Sequence, residues 1–428
     1  MSTTASIVDL STRIAANAAK VNGYLVAHSL PAPSFDENAP LPGLIPADAP
    51  EVQAARMAII QDTAELRRLM LGCTPREYVM SFSHNESLSL QATVRFGLAK
   101  TFPPGSETTF GAMAAATGVL SEPNVRQLVR HAVTKNIFRE PRPGVVAHSS
   151  ISRLLAEDNL ISDWAGAATD DLWQAAAQTC NALAKYPGSE EPNTTGFCVA
   201  NNTDKPMYEF FSTVPERARR FANAMTAFSE REAGLVSHVT DNYPWGDLGS
   251  GTVVDVGGST GFVSHALARK FPLLKLIVQD LPPVIEKAKS QAPPELADRV
   301  SYMAHDFLTP QPVRGADVYF FRSILHNWPT KYCLRILRNH VGVLKPGARV
   351  VVMDMVLPDK GTVASAAEEE RLRGLDLVML ELFNAHEREM DDWRALFAEA
   401  DARFEFKGGW LPKGSNKWIF VAEWKGES

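Results

Sequence analysis

From Thr252 onward, short β-rich runs alternate with stretches of helical spacing, and no other feature limits the fold as much. The extended runs are 252–256, 275–279, 300–304, 318–322, 349–354, 404–407 and 418–424. Helices are expected at 262–270, 283–292 and 331–343. A parallel strand pair needs a crossover, and a crossover helix covers the face it packs on, so this order builds a doubly wound parallel sheet. The last two runs flank a short loop containing Gly and Pro, which suits a terminal antiparallel hairpin. The fold class expected is therefore α/β, a Rossmann-like sheet ending in an antiparallel hairpin.

The preceding residues read as mainly helical. Ile7, Leu10, Ile14, Ala18, Val21 and Leu25 form an amphipathic stripe that needs a partner, expected elsewhere, on this chain or on a second subunit. Prolines from Pro31 to Pro50 mark a linker, and a second helix follows over 51–71. Residues 109–148 have the pattern of a small winged helix: a helix to Thr117, a turn at Gly118, a helix opening at Ser121, then two extended runs around 141–144. Arg126, Arg130 and Lys135 lie on its second helix, but a net charge of −6 favours a structural module over DNA binding. Three segments are expected: 1–50 as helix and linker, 51–225 as a helical domain, and 226–428 as the sheet domain.

The four cysteines, Cys73, Cys180, Cys198 and Cys333, are widely spaced, so neither a metal site nor a disulfide framework is expected. No apolar run approaches the roughly 20 residues that span a bilayer. A cytoplasmic protein with no membrane or nucleic-acid partner is the plain expectation.

The chemistry concentrates at the ends of the expected strands, where ligands sit in open α/β sheets. Asp255-Val-Gly257-Gly258-Ser259-Thr-Gly261 leads from a strand through a glycine-rich turn into a helix. The pattern is not the dinucleotide G-x-G-x-x-G, and an acid two residues before the first glycine favours a cationic ligand amine over a pyrophosphate. Asp280, before Leu281, ends the second strand, where an acid can accept both hydroxyls of a ribose; a helix cap is the alternative. Asp306-Phe307 ends the third, pairing a carboxylate with an aromatic face suited to adenine. After the fourth strand comes Arg322-Ser-Ile-Leu-His326-Asn327-Trp328-Pro329. Of ten histidines only His326 combines such a position with candidate orienting acids, Asp354 and Glu387.

Taken together, these motifs resemble the plant-type O-methyltransferase family, and most closely its fungal members that modify secondary metabolites. The resemblance covers most of residues 80–428. It implies a methyltransferase sheet with S-adenosylmethionine held by Thr226, Asp255, Gly257, Gly258, Asp280, Leu281, Asp306, Phe307 and Arg322. It also implies a winged-helix dimerisation module, hence a homodimer through the N-terminal domain, and a small aromatic or polyketide substrate. By family position, Phe197, Met207, Phe211, Phe221, Asn327, Met379 and Phe383 line the substrate pocket. Several residues depart from the family pattern. Ser259 replaces a glycine and is tolerated if its φ stays negative. Arg322 replaces Lys, Asp354 replaces Glu, Asn327 replaces Asp, and Thr330 replaces a second acid.

The expected reaction is methyl transfer to a phenolic or enolic oxygen, with His326 as general base and with Asp354 and Glu387 fixing its tautomer. The alternative is dehydration or pericyclic cyclisation on the same scaffold without methyl transfer. Retention of His326 favours the first.

Overall fold

The computed structural model describes residues 6–40, 45–46, 49–72, 82–229, 235–359 and 366–426. Cys73 and part of the proline-rich linker lie outside them. The chain forms two compact units: Met1–Gln174 with Pro215–Met225 and Val363–Arg371, and Ala175–Val214 with Thr226–Thr362 and Leu372–Ser428. The segment Ala175–Val214 belongs with the sheet-bearing unit, although its sequence is helical. Helical periodicity identifies an element but carries no information about which core receives it.

In the first unit, the helix Ile7–Ala27 opens with a capping box in which Ser6 Oγ accepts the Asp9 N–H at 3.1 Å. It packs on the helix Pro50–Leu71, with Leu10, Leu25, Val52 and Ala55 buried. Arg13 clasps Asp62 at 3.0 and 2.7 Å. The stripe thus finds a partner within its own unit.

The winged-helix pattern forms as expected, with one addition. Thr109 caps the helix Phe110–Thr117, and Ser121 caps Glu122–Thr134. Strands β2 (Phe138–Arg142) and β3 (Val145–His148) form the hairpin, and a three-residue β1 (Glu107–Thr109) joins β3. So short a strand has no alternation to read. Arg126, Arg130 and Lys135 pair with Glu122, Glu140 and Glu86 respectively.

The second unit carries seven strands: β4 (Thr252–Val256), β5 (Lys275–Asp280), β6 (Val300–Ala304), β7 (Val318–Arg322), β8 (Arg349–Asp354), β9 (Phe404–Trp410) and β10 (Trp418–Trp424). Their order is β6-β5-β4-β7-β8-β10-β9. The first five in that order are parallel, and β10 runs antiparallel to both β8 and β9. Both faces are covered, which is why the strands read as nearly unbroken apolar runs. Val254, Val256, Phe321, Val350 and Val352 pack with Cys333, Leu337, Trp393 and Phe397 on one side. Val253, Val318, Phe320 and Val351 pack with Val263, Leu267, Ile285 and Trp245 on the other. Burying each such side chain contributes about 1.5–3 kcal/mol.

Strand β9 runs three residues beyond its expected end at Lys407, through Gly408 and Gly409. Gly409 lies against the Phe420 ring, where a Cβ would come within 2.5 Å of a ring carbon. These glycines read as strand breakers in sequence; in the hairpin at least one is required by close packing. The chain reverses its winding direction between β4 and β7, and the carboxyl ends of those strands open the crevice where the motifs gather.

Candidate active site

The glycine-rich turn leaves β4 with Gly257 at φ +73° and with Gly257 and Gly258 N–H both bonded to Gln279 O, at 2.9 and 3.0 Å. Asp255 is 3% exposed, and its carboxylate accepts a hydrogen bond from Ser264 Oγ at 2.7 Å. Burial pushes its pKa up to about 6 against the pull of Ser264 and Arg322. A Cβ on Gly258 would lie 2.7 Å from the Asp255 carboxyl carbon, so only glycine keeps that carboxylate bare.

Ser259 does not keep a negative φ: it stands at +53°. The left-handed turn aims its N–H at Asp280 Oδ2, 2.9 Å away, and that bond offsets part of the backbone cost. Leu281 N–H bonds the other oxygen at 2.8 Å. The Asp280 side chain is therefore not the cap of the helix Pro282–Ser290, whose N-cap residue is Leu281. Burial raises the Asp280 pKa despite these two bonds. At the end of β6, Asp306 accepts the Leu308 N–H at 2.9 Å, and Phe307 meets Trp328 edge to face at 5.7 Å. Arg322 ends β7 with its guanidinium 5.6 Å from the centre of the Phe262 ring.

His326 sits in a single 3₁₀ turn, Leu325–Asn327, after β7. Its Nδ1 is 2.9 Å from Glu387 Oε1, in a pair whose side chains are 15% and 1% exposed. Burial disfavours a charged ring, but Asp354 and Glu387 outweigh it and raise the imidazole pKa. The two acids act differently. Glu387 makes the hydrogen bond; Asp354, wholly buried, has no hydrogen-bond partner on either oxygen among the described residues, and it acts on the ring through its charge. Burial raises the Asp354 pKa, while His326 draws it back.

Arg388 holds the turn in place. It is 1% exposed and bonds the carbonyls of Leu325 and Trp328, each at 2.9 Å. Asp376 Oδ1 accepts the Glu387 N–H at 2.8 Å, and Asn327 Nδ2 donates to Ser323 O at 3.3 Å.

The expected pocket residues Phe197, Met207, Phe211, Met379 and Phe383 are all buried in the second unit. Phe197 meets Phe211 edge to face, and Phe383 stacks on Tyr208. Thr226 lies exposed on the helix Pro215–Ser229, and Phe221 belongs to the first unit. Sequence reasoning missed Ser323 and Lys417. The Lys417 ammonium donates to Ser323 Oγ from a position beside Asp354 in the β10–β8 register. Among the described residues no group of His, Cys, Asp or Glu side chains is arranged to hold a metal, and no helix is long and apolar enough to cross a membrane.

Residues 197–403 match the O-methyltransferase domain family. The chain is 40% identical to the grayanic acid biosynthesis cluster O-methyltransferase of Cladonia grayi, over 98% of this chain and 88% of that one. It is 39% identical to the chlorophenol O-methyltransferase of Trichoderma longibrachiatum, over 97% and 89% respectively. Among solved structures, a complex of LepI with S-adenosylmethionine aligns with a TM-score of 0.71 at 25% identity, covering 97% of this chain and 99% of that one. A structure described as a pericyclic reaction enzyme aligns equally well, at 0.71 and 25%, covering 97% and 100%.

Proposed function

The chain belongs to the O-methyltransferase family and uses S-adenosylmethionine, and from that premise we propose that it methylates a phenolic or enolic hydroxyl of an aromatic or polyketide-type secondary metabolite, with His326 as general base. The observation that carries this reading is the buried His326–Glu387 pair at the carboxyl edge of the sheet. A carboxylate only accepts hydrogen bonds, so ionised Glu387 holds the proton on Nδ1 and leaves Nε2 free to take another. A phenol has a pKa near about 10 and is a weak nucleophile until its proton is removed. His326 Nε2 takes that proton as the oxygen–carbon bond forms, and Glu387 and Asp354 stabilise the resulting imidazolium.

The residues present fit the cofactor. Asp255 offers a buried carboxylate that glycine leaves uncovered, suited to an amine; Asp280, held by two backbone N–H groups, suits a ribose diol. Asp306 and Phe307 suit adenine, while Thr226, Gly257, Leu281 and Arg322 complete the set. When bound, S-adenosylmethionine supplies a methyl group on a cationic sulfur that departs as a neutral thioether. Phe197, Met207, Phe211, Asn327, Met379 and Phe383 are proposed to shape the substrate pocket, the apolar side chains among them excluding water from the reacting oxygen. We further propose a cytoplasmic homodimer that associates through the N-terminal unit.

Incubation with S-adenosylmethionine and a panel of phenols, chlorophenols included, followed by mass spectrometry, tests the reaction. A gain of one methylene is expected, and His326→Ala is expected to lower turnover about 10²–10⁴-fold while cofactor affinity stays within a few-fold. A product isomeric with its precursor would instead identify a cyclase, and equal loss of turnover and cofactor affinity would make His326 structural.

A further inference from the structure

Behind the imidazole lies a second buried cation that the base mechanism leaves unused. Lys417 directly precedes β10, whose first residue, Trp418, pairs in register with Asp354 at the end of β8. Lys417 is 8% exposed, and its ammonium donates to Ser323 Oγ. Ser323 stands at φ +56°, a left-handed conformation that disfavours a non-glycine residue. It is held there from two sides: its N–H bonds Met353 O at 3.0 Å, and its hydroxyl accepts from Lys417. Three residues later comes His326, and Asn327 ties back to the same Ser323 carbonyl.

The charges close the argument. Asp354 has no hydrogen-bond partner among the described residues, and Glu387 has one oxygen on His326 and the other without a partner. Two buried carboxylates are stabilised by positive charge nearby. Arg322, ending β7, and Lys417 supply such charge, and Arg322, Asp354 and Glu387 are the charges acting on Lys417. Arg388, on the segment after the helix Ala366–Phe383, adds a third positive charge acting on Asp354 while it bonds the Leu325 and Trp328 carbonyls. Asp376 of that helix is engaged by the Glu387 N–H.

We propose that Lys417 is a positioning residue for methyl transfer: its charge offsets part of the pull of Asp354 and Glu387 on the His326 proton, and its bond to Ser323 fixes the turn that carries His326. Without it, the acids hold a proton on the imidazole more strongly, and a protonated imidazole is no base. The inference rests on His326 as the base, and the test separates the two.

In the full-length enzyme, Lys417→Met, Lys417→Arg and Ser323→Ala are compared with His326→Ala. The His326 titration is followed by NMR of ¹³C-histidine-labelled protein and assigned by the resonance that His326→Ala removes. Chlorophenol methylation is measured in parallel. Lys417→Met should move the His326 titration to higher pH and lower kcat about tenfold at neutral pH, with cofactor KM within about threefold; Lys417→Arg should restore both. Ser323→Ala keeps the charge but frees the turn, so kcat should fall several-fold with the titration little moved. A Lys417→Met titration superimposed on wild type overturns the proposal. Should that variant not fold, unchanged kcat in Ser323→Ala does the same. If His326→Ala is fully active, the base assignment fails, and the titration still reads the effect of Lys417.

Discussion

Replacing Glu387 by Gln keeps the shape of the side chain and removes its charge, which isolates what the carboxylate does for His326. The Nδ1–Oε1 distance of 2.9 Å and the near-complete burial of Glu387 mark a charge-assisted hydrogen bond shielded from water. Such bonds contribute about 1.5–3 kcal/mol, and most of that is gained when the ring becomes an imidazolium in the transition state. At about 1.36 kcal/mol per decade, kcat should fall about 10- to 150-fold. The pH profile gives a sharper test through its sign. Burial alone would lower the imidazole pKa; Asp354 and the Glu387 bond reverse this and raise it. Without the Glu387 charge the ring holds its proton less tightly and stays deprotonated at lower pH. The acidic limb of kcat should therefore move to lower pH even as the plateau drops, opposite to the shift expected for Lys417→Met. Methyl transfer to a chlorophenol across the pH range, with cofactor affinity as a control for folding, measures both. A plateau within about twofold of wild type, or a limb displaced upward, would refute the reasoning.

Two other outcomes follow from the structure. Gly258→Ala places a Cβ against the Asp255 carboxyl group and should weaken S-adenosylmethionine binding by about tenfold or more, read by calorimetry, with thermal stability changed little; undiminished affinity would take Asp255 out of the cofactor site. Removing residues 1–30 strips the helix whose Ile7, Val8 and Val26 remain exposed, so the proposed dimer should dissociate more readily in sedimentation analysis. An unchanged oligomer would dismiss a role for that helix in assembly.

Strands buried on both faces carry their own signature. The runs that carry or precede Asp255, Asp280, Arg322 and Asp354 were legible because each has an apolar stretch shortly before a polar residue near its carboxyl end. In a parallel sheet those ends share one edge, so the sequence places the acids together without any knowledge of contacts. What stayed illegible depends on register and on backbone sign. Ser259 was expected at negative φ because a side chain disfavours the left-handed region, yet the Asp280 carboxylate 21 residues away accepts its N–H there. Asp354 and Glu387 were read as equivalent orienting acids, since sequence lists charges but not hydrogen bonds; Glu387 hydrogen-bonds the ring, whereas neither Asp354 oxygen has a hydrogen-bond partner among the described residues. Lys417 was invisible for a stronger reason. Its place beside Asp354 follows from the antiparallel pairing of Trp418 with Asp354, and a one-residue slip would turn every β10 side chain to the opposite face. The charges acting on His326, those of Asp354, Glu387 and Lys417, thus come from three separate segments, none of which contains the histidine. A motif centred on that histidine names the proposed base, but one of the charges acting on it, Lys417, stands in the terminal strand hairpin, where no such motif reaches.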